Sequence, residues 1–348
     1  MSAPLDTRAR ARGHGGPAEL TSLPNPPART IPKNARLPDF FIVGQPKAGT
    51  TALYEMLRRH PEVFMPAGKE PWFFARELHV RTPPRPGGTP ATLEEYLALF
   101  AAARPGQRVG EASALYLWSR TAARGIAEVA PDARIVAVLR EPASLLRSLH
   151  LQFVETYVET VADLRTALAL EAARREGRQV PRRTYWPQAL LYSEHVRYVE
   201  QLRRFHELFG RARVLVLIYD DFRAANAATV RRVLRFLEVD DGVAIEPVEA
   251  NPTVRARSQR LHELLHAVSV GHGPLSLAVK EAVKALTPAG PRRRARDAAQ
   301  RRFVFGAPPT PDAELMAELR RRFAPEVVAL SEYLGRDLVT LWGYGHLG

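Results

Sequence analysis

Apolar residues along this chain fall into two alternating rhythms. Short runs at Phe40–Val43, Val63–Met65, Arg108–Gly110, Arg134–Leu139 and Arg213–Ile218 have strand length and composition. Between and beyond them, Thr51–His60, Thr92–Ala102, Ser193–Phe209 and Asp312–Leu334 repeat apolar positions at helical spacing, and further helices are expected after Pro142 and from about Asn226. Strands that alternate with helices predict an α/β fold, three layers deep, with a central parallel sheet flanked by helices. Both rhythms stop in two places. Residues 1–36 are rich in Pro, Arg, Gly and Ala without period, which predicts a disordered tail ahead of a domain spanning residues 37–348. At residues 271–309 GHGP, TPAGPRRRARDAAQRR and GAPPTP punctuate the chain, and this stretch is read as a mobile, basic insertion or lid. The aromatic ending with Leu341, Trp342 and Tyr344 is expected to pack back on the domain.

The first strand runs straight into chemistry. In DFFIVGQPKAGTT, Asp39 to Thr51, the run Phe40–Val43 leads into Gly44 and Gly49, which let the backbone turn tightly and approach an anion. N–H groups at the start of the following helix point at that anion, and the helix dipole favours its charge. The nucleoside-triphosphate loop has the spacing GxxxxGK followed by Ser or Thr. Here the glycine spacing is kept, but Thr50 stands where the lysine belongs and the lysine has moved to Lys47. That displacement weakens a kinase or ATPase reading. A P-loop-like domain remains the expected fold, with its ligand crevice at the carboxyl ends of the strands.

Composition narrows the partners. The 348 residues, 46% of them hydrophobic, can bury one good-sized core. A formal charge of +13 favours an anionic ligand, nucleic acid or an anionic membrane surface. With no cysteine there is no disulfide, cysteine nucleophile or thiolate metal site. No segment has the apolar length of a membrane span and the first residues lack a signal-peptide core, so a soluble cytoplasmic protein is the default expectation.

The lysine position in PKAGTT resembles the 5′-phosphosulfate loop of sulfotransferases that use 3′-phosphoadenosine 5′-phosphosulfate. A second element agrees. In RIVAVLREPASLLRSLHLQF, Arg140 leaves the end of a strand, Pro142 suits a first helical turn, and Ser148 follows Arg140 by eight residues. In the family this Arg and Ser hold the 3′-phosphate. HPEVFMPAGKEPWFF, GEASALYL and RVLVLIYDDFRAANAATVRRVLRFLEV resemble later elements of bacterial and Golgi-type members. The resemblance implies that Lys47, Ala48, Gly49, Thr50 and Thr51 hold the phosphosulfate and that Lys47 stabilises the leaving charge. It implies direct in-line transfer to a hydroxyl of a carbohydrate, glycolipid or secondary metabolite, with no metal and no nucleic acid required.

An alcohol acceptor also needs a base. Glu70, in KEPWFF, matches the family's KExxFF-like glutamate, with a structural role or pairing with Lys69 as the other reading. Glu111 is the second candidate, because it leaves a strand and should face the same crevice. Ala112 and Ala114 depart from the lysine and proline of related motifs. Arg255, Arg257 and Ser258, in NPTVRARSQRL, match a late basic loop that covers the nucleotide, or form an ordinary surface loop. PRRRAR, 291–296, reads as a solvated charge run or as a contact for an anionic acceptor, nucleic acid or membrane headgroup.

Other conspicuous residues carry plainer readings. His60 is assigned capping or packing, and His150 and His195 surface or packing roles, since none has a partner at metal-ligand spacing. Asp220 and Asp221 in VLIYDD could imitate an ATPase metal-binding strand, but are read as caps of the helix near Asn226. Trp72, Phe73, Phe74, Tyr116 and Trp118 could line an acceptor pocket or build core. A P-loop kinase, and a nucleotide-binding protein without catalysis, stay open as alternatives.

Overall fold

A computed structural model of the chain describes residues 35–78, 89–181, 184, 186–248, 255–256, 305–306 and 310–345. Residues 1–34 of the expected tail and nearly all of the expected insertion lie outside these residues, as do Arg257 and Ser258.

Five strands form one parallel sheet: β1 (Phe40–Gly44), β2 (Val63–Phe64), β3 (Arg108–Ala112), β4 (Arg134–Leu139) and β5 (Val214–Ile218), in the order β2-β3-β1-β4-β5. β1 lies at the centre, and every one of its residues is buried, as a parallel strand covered on both faces must be. On one face Phe40 and Ile42 pack with α1 (Thr50–Leu57) and α9 (Asn226–Leu237) through Leu53, Met56, Leu57, Val233 and Leu234. On the other, Phe41 meets Phe74, and α7 (Tyr198–Phe209) lies along β4 and β5. Gly110 is required within β3, because a Cβ there would collide with the Phe40 ring and the Met65 sulfur.

The intervening helices are α2 (Leu93–Ala98), α3 (Ala122–Val129), α4 (Pro142–Glu155), α5 (Leu164–Ala169), α6 (Glu171–Arg175) and α8 (Tyr219–Ala224). Two residues each of β6 (Arg255–Ala256) and β7 (Phe305–Gly306) pair antiparallel, with β6 beside α4. α10 (Ala313–Leu334) and α11 (Leu338–Leu341) follow. No helix among the described residues is long and apolar enough to cross a membrane.

Several expected boundaries move for local reasons. The first helix begins at Thr50 and ends at Leu57. Thr92 stands outside α2 as its cap, accepting from Glu95 N–H, and Asp312 caps α10 in the same way. The expected helix over Ser193–Phe209 is two pieces, a 3₁₀ turn at Tyr192–Val196 and then α7. The break falls where the His195 carbonyl accepts from the side chains of Gln45 and Gln201. Arg213 belongs to a 3₁₀ turn before β5. Trp342 and Tyr344 pack back as expected, whereas Leu341 stays exposed.

Candidate active site

All five strands point the same way, so the segments leaving β3, β1, β4 and β5 share one edge. From β1 the chain enters the loop of residues 45–49. Gly49 adopts a left-handed conformation, φ 85°, and α1 starts without a side-chain cap. Its terminal N–H groups therefore face the loop, which suits an anion. A Cβ at Gly49 would stand 3.1 Å from Phe222 and 3.2 Å from Tyr219, so glycine is needed for close approach as well as for φ. Ala48 is buried, Thr50 nearly so, and Thr51 half-buried at the first turn.

Lys47 is half-buried and also left-handed, φ 63°. Burial lowers its pKa, Glu155 opposes this, and the Arg140 charge lowers it further. The carbonyl of Lys47 accepts from Arg140 Nη1 at 2.8 Å, which ties the end of β4 to the loop from β1. The Arg140 guanidinium lies 4.9 Å from the centre of the Tyr219 ring, and the Arg140 carbonyl accepts from Tyr198 Oη at 2.8 Å. Beyond it α4 opens on Pro142, capped by the Glu141 carboxylate through Ala143 and Ser144 N–H, and carries Ser148 buried at 2% exposure. Arg147 next to Ser148 has its pKa lowered by burial and by Arg140. Cations thus gather around Lys47 and the start of α4, as an anionic nucleotide requires.

The other side of the loop is supplied by β3. Ser113 N–H donates to the Ile42 carbonyl at 3.1 Å and Leu117 N–H to Val43, carrying the chain across the end of β1. Glu70 N–H donates to the Ala112 carbonyl at 2.9 Å, and Trp72 N–H to Ser113 Oγ at 3.2 Å. Glu70 is therefore held at the same edge as the loop, half-buried and paired with Lys69 Nζ at 2.5 Å.

Glu111 is placed differently from expectation. It pairs in register with Phe41, so its side chain shares that face of the sheet and is fully buried, not open to the crevice. Tyr96 Oη donates to its carboxylate at 3.2 Å. Burial pushes its pKa up to about 7 against the lowering effect of the Ser113, Tyr116 and Tyr96 hydroxyls and of Lys69.

Asp220 and Asp221 do not cap the helix at Asn226. They lie in α8, which starts directly after β5, where Asp221 pairs with Arg336 and Asp220 accepts from Trp342 Nε1 at 2.9 Å. The histidines pack: His60 on the Asp240 carbonyl, His150 on Tyr192, His195 stacked on Trp118 at 4.5 Å. Phe73, Phe74 and Tyr116 are core, while Trp72 and Trp118 keep partial exposure. Arg255 is seen only as backbone in β6, beside α4.

Sequence reasoning passed over Tyr219, Phe222, Gln45 and Trp186. Tyr219 and Phe222 bracket the two aspartates that drew attention, and their position straight after a strand was the available signal. Gln45 spans from the loop to His195 and Gln201, a contact that spacing does not reveal.

Residues 37–251 match the sulfotransferase domain family, and the chain belongs to that family. It is 32% identical over 156 residues to mouse carbohydrate sulfotransferase 15, covering 34% of this chain and 28% of that protein. It is 34% identical over 121 residues to human heparan sulfate glucosamine 3-O-sulfotransferase 6, covering 35% of this chain and 32% of that one. The chain thus spans about a third or less of these relatives. A sulfotransferase structure from Alicyclobacillus acidocaldarius superposes with a TM-score of 0.62 at 25% identity, over 88% of this chain and 99% of that one.

Proposed function

We propose that this protein is a sulfotransferase that moves a sulfonate from 3′-phosphoadenosine 5′-phosphosulfate to a hydroxyl of a carbohydrate-type acceptor. The observation that carries the reading is the Arg140 to Lys47 tie, which joins the two loops proposed to bind phosphate at one edge of the sheet. The family match and the names of its carbohydrate-modifying relatives support the reaction and the acceptor class.

The donor supplies a sulfonate attached to a phosphate that is a good leaving group. Lys47, Ala48, Gly49, Thr50 and Thr51 would hold its 5′ end through backbone N–H groups, two hydroxyls and the ammonium. Arg140 and Ser148 would hold the 3′-phosphate, with Tyr219 keeping the guanidinium in place, and Arg255, Arg257 and Ser258 would close over the nucleotide. Glu70 takes the proton of the attacking hydroxyl as the new S–O bond forms. The electron pair of the broken S–O bond goes to the phosphate oxygen, whose charge Lys47 meets. Glu111, fully buried and held by the Ser113, Tyr116 and Tyr96 hydroxyls, does not touch the acceptor.

Calorimetry with 3′-phosphoadenosine 5′-phosphate, ADP and ATP, with and without magnesium, tests the reading. Magnesium-independent binding that needs the 3′-phosphate is expected. Lys47→Ala should lower turnover by about 10²-fold or more while the protein stays folded, and Arg140→Ala should weaken nucleotide binding by about tenfold or more. Preference for ATP with magnesium, or wild-type behaviour in both variants, would overturn it.

A further inference from the structure

We propose that Trp72 and Trp186 form an acceptor-binding corner that takes the apolar face of a pyranose ring and presents one of its hydroxyls to Glu70. The inference rests on the sulfotransferase reading and names the ring that the site accepts. The two indoles meet edge to face, with centroids 4.8 Å apart and planes at 81°. Both are half-buried, whereas the next aromatics along the chain, Phe73 and Phe74, are 2% and 3% exposed and build the core with Tyr96. Trp72 is therefore held out of a core that its neighbours enter.

The backbone enforces that placement. Glu70 and Trp72 have φ of 65° and 50°, a left-handed region that residues with a Cβ seldom adopt. Two bonds to the segment leaving β3 hold them there, Glu70 N–H to the Ala112 carbonyl and Trp72 N–H to Ser113 Oγ. The same strained stretch thus aims a carboxylate and an indole from one end of β3. Trp186 stands just before a 3₁₀ turn that opens on Pro187 and is anchored by buried Ala189 and Leu190.

The geometry selects the occupant. Two indoles at 81° leave no parallel-walled slot to sandwich a flat aromatic acceptor. A pyranose has a C–H face that lies on one indole and a rim of hydroxyls that needs polar partners. Lys69 and Glu70, paired with each other three and two residues before Trp72, supply that rim.

Intrinsic fluorescence of the 3′-phosphoadenosine 5′-phosphate-loaded protein reads the corner directly. Titration uses heparosan, chondroitin and cellohexaose hexasaccharides, with 2-naphthol as the flat competitor. At least one saccharide should bind, and Trp72→Ala and Trp186→Ala should each weaken it by about tenfold or more, the change produced by losing one stacking contact. Trp72→Phe and Trp186→Phe keep an aromatic ring and should lose less, and all four variants should keep wild-type nucleotide affinity. Unchanged saccharide affinity in the Ala variants, binding of 2-naphthol alone, or binding of no saccharide would overturn the corner while leaving the nucleotide site standing. Failure of the wild-type protein to bind the nucleotide would instead bring down the sulfotransferase reading itself.

Discussion

Glu111 is a carboxyl with no solvent around it, and its protonation is a stability term. Its folded pKa, about 7, lies above the ordinary value of 4.5, so the protonated form is favoured in the fold. The stability it contributes is fully present below about 4.5 and is lost as pH rises through about 7. Glu111→Gln keeps an acceptor for Tyr96 Oη without the charge. At pH 8 the variant should be more stable than wild type by up to about 3 kcal/mol, the size of a shift of this span. At pH 4.5 the two should match, and urea unfolding at both values decides it. A variant that loses stability equally at both would show that the carboxyl matters by shape alone. The sequence named Glu111 but not its face, because the side on which a strand residue lands depends on register, here the pairing with Phe41.

Around α4 the same low-polarity interior holds a full ion pair. Arg174 on α6 reaches Glu159 with Nη1 and Nη2 at 2.7 and 2.9 Å, both side chains entirely buried. Glu159 also accepts from Thr160 and Val161 N–H, and Tyr192 Oη stands between Glu159 and His150 Nδ1. Breaking such a pair strands a buried charge. Arg174→Met should therefore cost about 3–5 kcal/mol in urea unfolding, and adding Glu159→Leu should recover much of the loss. A double variant no more stable than the single one would mean that packing, not charge, is at stake. None of this was legible beforehand, since residues 159, 174 and 192 share no helical or strand period. Among the helices, α4 was legible from Pro142 and α10 to within one residue, Asp312 being its cap and not its first residue, whereas α3, α5 and α6 were not read from the sequence.

At the scale of the whole molecule, the strand order explains why the proposed nucleotide loops stand out in the sequence and their surroundings do not. Buried parallel strands are unbroken apolar runs, and each element proposed to bind phosphate sits within a few residues of one strand end, so both are local patterns. What braces them is not local. Arg336 and Trp342 hold Asp221 and Asp220 across 115 and 122 residues, and Gln45 holds the His195 carbonyl across 150. His195 is the point where the phosphate loop, Trp118 and α7 converge, and it is wholly buried. Burial pushes its pKa down from 6.5 to about 4, and that of His150 is lowered as well. Both are held neutral by the fold, so the stability they contribute is present above about 6.5 and is lost as pH falls through about 4 for His195. In the Glu111→Gln protein, where the opposing Glu111 titration is absent, the urea midpoint should therefore drop between pH 7 and pH 4.5, and His195→Gln is compared in that background. His195→Gln keeps an N–H donor for the Ala189 carbonyl, which His195 Nε2 meets at 2.9 Å, but cannot be protonated. It should start lower at pH 7, having lost the stack on Trp118, and fall less steeply. An equally steep fall would move the acid sensitivity away from this junction and onto the carboxylates paired elsewhere in the fold.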